Sequence, residues 1–95
     1  MLVLWLWTSA VSAATIVVGP GGQTASFGDA VRIARDGDTI AIAPGEYRGD
    51  VAVITQKKLS IRAIGARPIF LADGRSAEGK AIWVVRDGDI TIENI

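Results

Sequence analysis

The sequence predicts an all-β solenoid, with coils of about 30 residues and three short strands per coil, opened by a short capping α-helix. Three observations predict it. After Gly37 every apolar cluster alternates with period two, the mark of a strand with one apolar face: Ile40/Ile42, Val51/Val53, Leu59/Ile61, Ile69/Leu71, Ile82/Val84 and Ile90/Ile92. Taken three at a time the clusters recur, with 29 residues from Ile40 to Ile69, 31 from Val51 to Ile82 and 31 from Leu59 to Ile90. An amphipathic helix pattern stands just before the first of them, where an open solenoid end needs covering.

The elements follow in order. Thr15 to Val18 is a β-branched run that reads as a strand, ended by the turn residues Gly19-Pro20-Gly21-Gly22. Ser26 begins the helix, because its hydroxyl can accept from open backbone N–H groups and Asp29 stands three residues on, as in a capping box. Phe27, Ala30, Val31 and Ala34 fall on one face, Arg32 and Arg35 on the other, and Gly37 is the expected terminator. From there the short strands alternate with turns at Pro44-Gly45, Gly49-Asp50, Gln56 to Lys58, Gly65, Asp73-Gly74 and Asp87 to Asp89. Stacked coils lie about 4.8 Å apart, so Leu59 should sit over Ile90 and Ile61 over Ile92.

Length and composition narrow the function. Ninety-five residues allow one small domain or a piece of a larger one. Ten basic and ten acidic side chains cancel, and nucleic acid is therefore not the expected partner. Cysteine and histidine are both absent, which excludes thiol chemistry, disulfides, a zinc site of the usual ligands and a His-based triad from these residues.

The N-terminus stands apart. Leu2 to Trp7 is an unbroken apolar run, and Val11-Ser12-Ala13 and Ser12-Ala13-Ala14 both place small residues as a signal peptidase requires. The run is far shorter than the roughly 20 residues of a membrane span. Residues 1–14 are expected to be a secretory signal, although no Lys or Arg precedes the apolar run. Residues 15–36 then form the first strand and cap helix, and residues 37–95 two coils.

The strand, the Gly-rich turn, the helix leading into Asp36-Gly37-Asp38, and then 39-TIAIAPGEYRG-49 and 59-LSIRAIG-65 resemble the N-terminal cap and first coils of the pectate-lyase-like, right-handed parallel β-helix proteins. The resemblance covers about residues 15–95; its most specific part is the helix followed by 37-GDTIAIAPGEY-47. It implies a right-handed solenoid and an exported protein, secreted or periplasmic, with no membrane span once the signal is removed. A polysaccharide is the partner it implies; nothing in the sequence indicates a protein partner. Many members cleave or modify acidic polysaccharides, some with calcium, while others are adhesins or scaffolds. The chain stops at Ile95 with two coils where about three are needed to bury a continuous core, so a truncated front end is expected, with a structural role and with catalytic residues on later coils. The alternative is a non-catalytic surface adhesin or scaffold.

No residue is assigned a catalytic, cofactor or metal role. Asp36-Gly37-Asp38 and Asp87-Gly88-Asp89 carry carboxylates that suit calcium, yet Asp-Gly-Asp is ordinary turn chemistry and neither motif continues into an EF-hand loop. The Gly19–Gly22 run lacks the Lys-Ser/Thr of a phosphate-binding loop and reads as a turn. Glu46, Asp50, Asp73, Glu78 and Glu93 are candidate glycosidase carboxylates, but such a pair must face across a cleft roughly 5 to 10 Å wide, and solvated turns are the default. The resemblance implies that an arginine such as Arg62, Arg67 or Arg86 can serve as a base or bind a sugar carboxylate, but Arg62, outward on a strand of the first coil, is read as solvated. Tyr47 and Trp83 are the aromatics that suit a sugar ring, and Trp83, alternating with Ile82 and Val84, is expected to point outward.

Overall fold

A computed structural model of the chain describes residues 13–95 except 78 and 80. Apart from Ala13 and Ala14, the expected leader lies outside the described residues, as does the candidate carboxylate Glu78. Eight short strands and one helix follow in the order β1 (Thr15–Val18), α1 (Phe27–Ile33), β2 (Thr39–Ile42), β3 (Glu46–Arg48), β4 (Ala52–Ile54), β5 (Lys58–Ala63), β6 (Ile69–Leu71), β7 (Trp83–Val85) and β8 (Asp89–Glu93). They form three separate parallel sheets: β1-β2-β5-β8, β3-β6 and β4-β7.

The expectation of an all-β, right-handed parallel β-helix opened by a short capping helix is corrected by this arrangement. The chain is a mixed α/β structure of short parallel strands in small sheets, two of them only two-stranded, and the helix belongs to the core. Phe27 and Ala30 are fully buried and Val31 nearly so, and all three pack with Ile16, Val18, Ile40, Ile42, Ile54, Leu59 and Ile61. A seven-residue helix is too short to persist in water alone, so this burial is what holds it.

The strand phase is corrected as well. Ile40 pairs with Ile61, and Ile69 pairs with Glu46 rather than falling in register with Ile40. The cause is β3, Glu-Tyr-Arg, whose single apolar residue between two charges carries no alternation to read. Leu59 does pair with Ile90 and Ile61 with Ile92. Along β4 and β7 the apolar run occupies both faces, and the pleat turns Ala52 and Ile54 inward in place of Val51 and Val53.

That choice of face carries Trp83, the register partner of Ala52, into the interior. Trp83 stacks on Phe27 with ring centroids 4.2 Å apart, and Phe70 meets both edge-on at 5.8 and 4.9 Å. Tyr47 stacks on Phe70 at 4.9 Å. The outward Trp83 expected from its alternation with Ile82 and Val84 is therefore corrected: its ring is core, joining α1 to β6 and β7.

The helix ends are tied by side chains from distant turns. Ser26 Oγ accepts from the N–H of Asp29 at 3.1 Å, half of the expected capping box; the Asp29 carboxylate pairs with Arg32 at 2.5 Å and does not return to the cap. The helix stops at Ala34, ahead of Gly37, and the Gln56 amide nitrogen donates to the carbonyls of Val31 and Ala34 at 2.7 and 2.9 Å. The open edge of β1 is covered by Gln23, whose amide accepts from the N–H of Val17 at 2.9 Å and donates to the carbonyl of Thr15 at 3.3 Å. One polar side chain thus occupies the pairing groups that another strand would use.

Candidate functional site

An open groove of about 680 Å³ runs between the first turns of α1 and the β3–β4 segment. Asp29 and Arg32 stand on its helical side, Glu46 and Arg48 on its strand side, and Arg75 comes from the loop after β6. The floor is formed by Tyr47, Gly49 to Val53 and Gly28. Gly28 is required there, because a Cβ at this position would lie 2.8 Å from the Val51 carbonyl oxygen.

Asp50 is the hinge between the two walls. It is 8% exposed, and its carboxylate accepts from the backbone N–H of Phe27 at 2.6 Å and of Gly28 at 2.8 Å. The carboxylate therefore satisfies two of the open donors at the helix start and meets the positive end of the helix dipole. Both oxygens are engaged, which removes Asp50 from the candidate acid–base pairs. Beside it, the Tyr47 hydroxyl donates to the Ala43 carbonyl at 2.6 Å. Burial, and secondarily the Asp50 carboxylate, holds this phenol above its ordinary pKa, so it remains a neutral donor. Tyr47 is 7% exposed, with its ring against Phe70, and presents no face to a sugar.

The rim is charged and balanced. Asp29 pairs with Arg32 at 2.5 Å and Glu46 with Arg48 at 3.4 Å, all four exposed. The stem of Arg75 lies over Gly49, and among the described residues no carboxylate pairs with its guanidinium. Exposed pairs of this kind contribute about 0–1 kcal/mol to stability, so their guanidinium and carboxylate groups exchange partners at little cost. Such a rim can bind hydroxyl and carboxylate groups by charge-assisted hydrogen bonds.

The other sequence candidates are dispersed. In the first Asp-Gly-Asp, Asp36 accepts from the N–H of Lys57 at 2.8 Å, and Asp38 accepts from the N–H of Ala14 and of Arg35, each at 2.9 Å. These are turn and tether bonds. In the second, Asp87 has a positive φ of 54° in a tight turn, and Asp89 opens β8 opposite Lys58. Asp73, with φ 51°, shapes an exposed turn. Glu93 lies opposite Arg62 across the β5–β8 pair, and Arg67 Nε donates to Asn94 at 3.2 Å. The backbone N–H of Arg86 donates to the Ile54 carbonyl at 2.9 Å. Among the described residues no group of three or more His, Cys, Asp or Glu side chains is placed to hold a metal ion, and no helix is long and apolar enough to cross a membrane.

Of the sequence candidates, only Glu46, Tyr47 and Asp50 come together in the groove. Arg32, Arg48 and Arg75 have no motif to announce them. The one available signal was Tyr47-Arg48-Gly49-Asp50, an aromatic and an arginine beside a turn glycine whose φ is 61°. No family model, curated protein or solved structure matches the chain, so its function is argued from the geometry of this groove.

Proposed function

We propose that the chain is an exported, non-catalytic structural unit that holds a polysaccharide in the groove between α1 and β3–β4. The observation that carries this reading is the division of labour among the polar groups. The two carboxylates buried among the described residues, Asp38 and Asp50, are both committed to backbone N–H groups, while the groove rim keeps exposed arginines and carboxylates with weakly held partners. General acid–base work on a glycosidic bond asks for a desolvated carboxyl whose proton is free to move, and neither buried group has that freedom. A long, open, hydroxyl-rich ligand needs only the rim. The small apolar run at the N-terminus followed by Ala13-Ala14 supports export, where such ligands are found.

The test is a titration of the chain, collected from a secreting host, with polyuronate oligomers and with neutral glucans, followed by amide NMR. Absorbance of unsaturated products is read on the same samples. Salt-sensitive shifts at residues 28–32, 46–51 and 75 with no new absorbance are expected. Arg75→Ala should weaken binding roughly tenfold, the scale of one charge-assisted hydrogen bond. Absence of shifts across the whole panel, or the appearance of unsaturated products, would overturn the reading.

A further inference from the structure

We infer that Asp38 is the docking site for a new N-terminus, the α-ammonium group released when the chain is cut between Ala13 and Ala14. The inference rests on the export reading and adds to it the bond that is cut and the group that receives the product. The sequence leaves two cleavage points open, after Ala13 or after Ala14, since Val11/Ala13 and Ser12/Ala14 are both small-residue pairs at the required spacing. The structure separates them. The N–H of Ala14 donates to Asp38 Oδ1 at 2.9 Å, and the carbonyl of Ala14 accepts from Thr39 at 2.9 Å. Ala13 and Ala14 are both exposed, but among the described residues Ala13 makes no hydrogen bond. Among the described residues the hydrogen-bond network thus begins at the nitrogen of Ala14. Cleavage after Ala14 would discard both of its bonds and leave Asp38 Oδ1 without its partner.

The second half of the case is Asp38 itself. It is 6% exposed, and among the described residues no Lys or Arg side chain forms an ion pair with it. Its second oxygen accepts from the N–H of Arg35, its own N–H donates to the Arg35 carbonyl at 3.0 Å, and its carbonyl accepts from Ser60 at 3.1 Å, so the carboxylate is rigidly aimed. Two backbone N–H groups already aim and hold this carboxylate, and an ammonium at the Ala14 nitrogen adds a cation at hydrogen-bond distance. In the hydrolysis the Ala13–Ala14 amide bond breaks. Water gives its oxygen to the Ala13 carboxylate, and the Ala14 nitrogen leaves as an ammonium. Of the exposed charges on the segments around this site, Arg35, Asp36 and Lys58, Arg35 makes a small favourable contribution at Asp38, and all three are screened by solvent.

The experiment expresses the full chain in a secreting host, reads the N-terminus of the product by mass spectrometry and titrates its α-amino group by NMR after isotopic dimethylation. The expected product starts at Ala14, with an α-amino pKa about one unit or more above the ordinary value near 8, and with that rise lost in Asp38→Asn. Should Asp38→Asn not fold, the wild-type titration decides alone. A secreted product starting at Thr15, or starting at Ala14 with an ordinary pKa, overturns the docking site and leaves export standing. A chain retained uncut inside the cell overturns the export reading and the docking site together.

Discussion

The carboxylate of Asp50 accepts from the backbone N–H of Phe27 at 2.6 Å, reaching from the β3–β4 turn to the first residue of the helix. One residue therefore fixes where α1 starts and how far the two walls of the groove stand apart. Asp50→Ala removes this bond and the one to Gly28, leaving two helix-start donors without their acceptor, that of Phe27 in a buried place. The expected loss is about 2–4 kcal/mol in urea denaturation, with Asp50→Asn intermediate because one amide oxygen still accepts. Equal stability of Asp50→Ala and wild type would show that the helix is placed by packing alone.

How much of this was legible in the sequence differs by residue. The buried face of α1 and the pairing of Leu59 with Ile90 follow from spacing, because helical and strand periods are local and show in a few residues. The inward turn of Trp83 does not, since Val-Ala-Val-Ile and Ile-Trp-Val-Val are apolar on both faces and only the tertiary partner Phe27 decides between them. The part of helix α1 in the core is likewise invisible to a count of strands. The groove was the least legible part: Arg75 and Arg48 reach it from a loop and a strand, and neither leaves a local pattern.

The stack of Phe27 on Trp83 is the second test. Phe27 is fully buried and joins α1 to β6 and β7, so Phe27→Ala should cost about 3–5 kcal/mol by lost burial and an unfilled cavity. Trp83→Phe should cost less, because among the described residues the indole N–H has no hydrogen-bond partner and its removal relieves an unsatisfied donor. Denaturation midpoints of the two variants check the order; a costlier Trp83→Phe would mean that the indole N–H is hydrogen-bonded in solution.

Asp38 gives the pH dependence. Hydrogen bonds from the N–H of Ala14 and then of Arg35 hold its pKa below the ordinary carboxylate value, against burial, with a smaller contribution from the Arg35 charge. A depressed folded-state pKa stabilises the fold above the unfolded value near 3.8, and that contribution is lost as pH falls through the folded value. Wild type should therefore exceed Asp38→Asn in stability by a constant margin at neutral pH, with the margin shrinking below about pH 4. Thermal unfolding of both across pH 2–7 reads this directly, and a margin that does not change with pH would remove the carboxylate charge as its source.

Gly88 supplies the last test, of the contact that seats β8. A Cβ at this position would lie 2.4 Å from the carbonyl oxygen of Gln56, the residue whose side chain closes the C-terminal end of α1. Backbone cannot yield there without moving Gln56, and Asp89 is held by its N–H bond to the Lys57 carbonyl at 2.8 Å. Gly88→Ala should then destabilise by about 1–3 kcal/mol and should loosen two places at once, β8 and the last turn of α1. Amide hydrogen exchange distinguishes this from a local effect: faster exchange at Ala34 and in β8 together is expected. Faster exchange in β8 alone would mean that Gln56 shifts its carbonyl while keeping its grip on Val31 and Ala34.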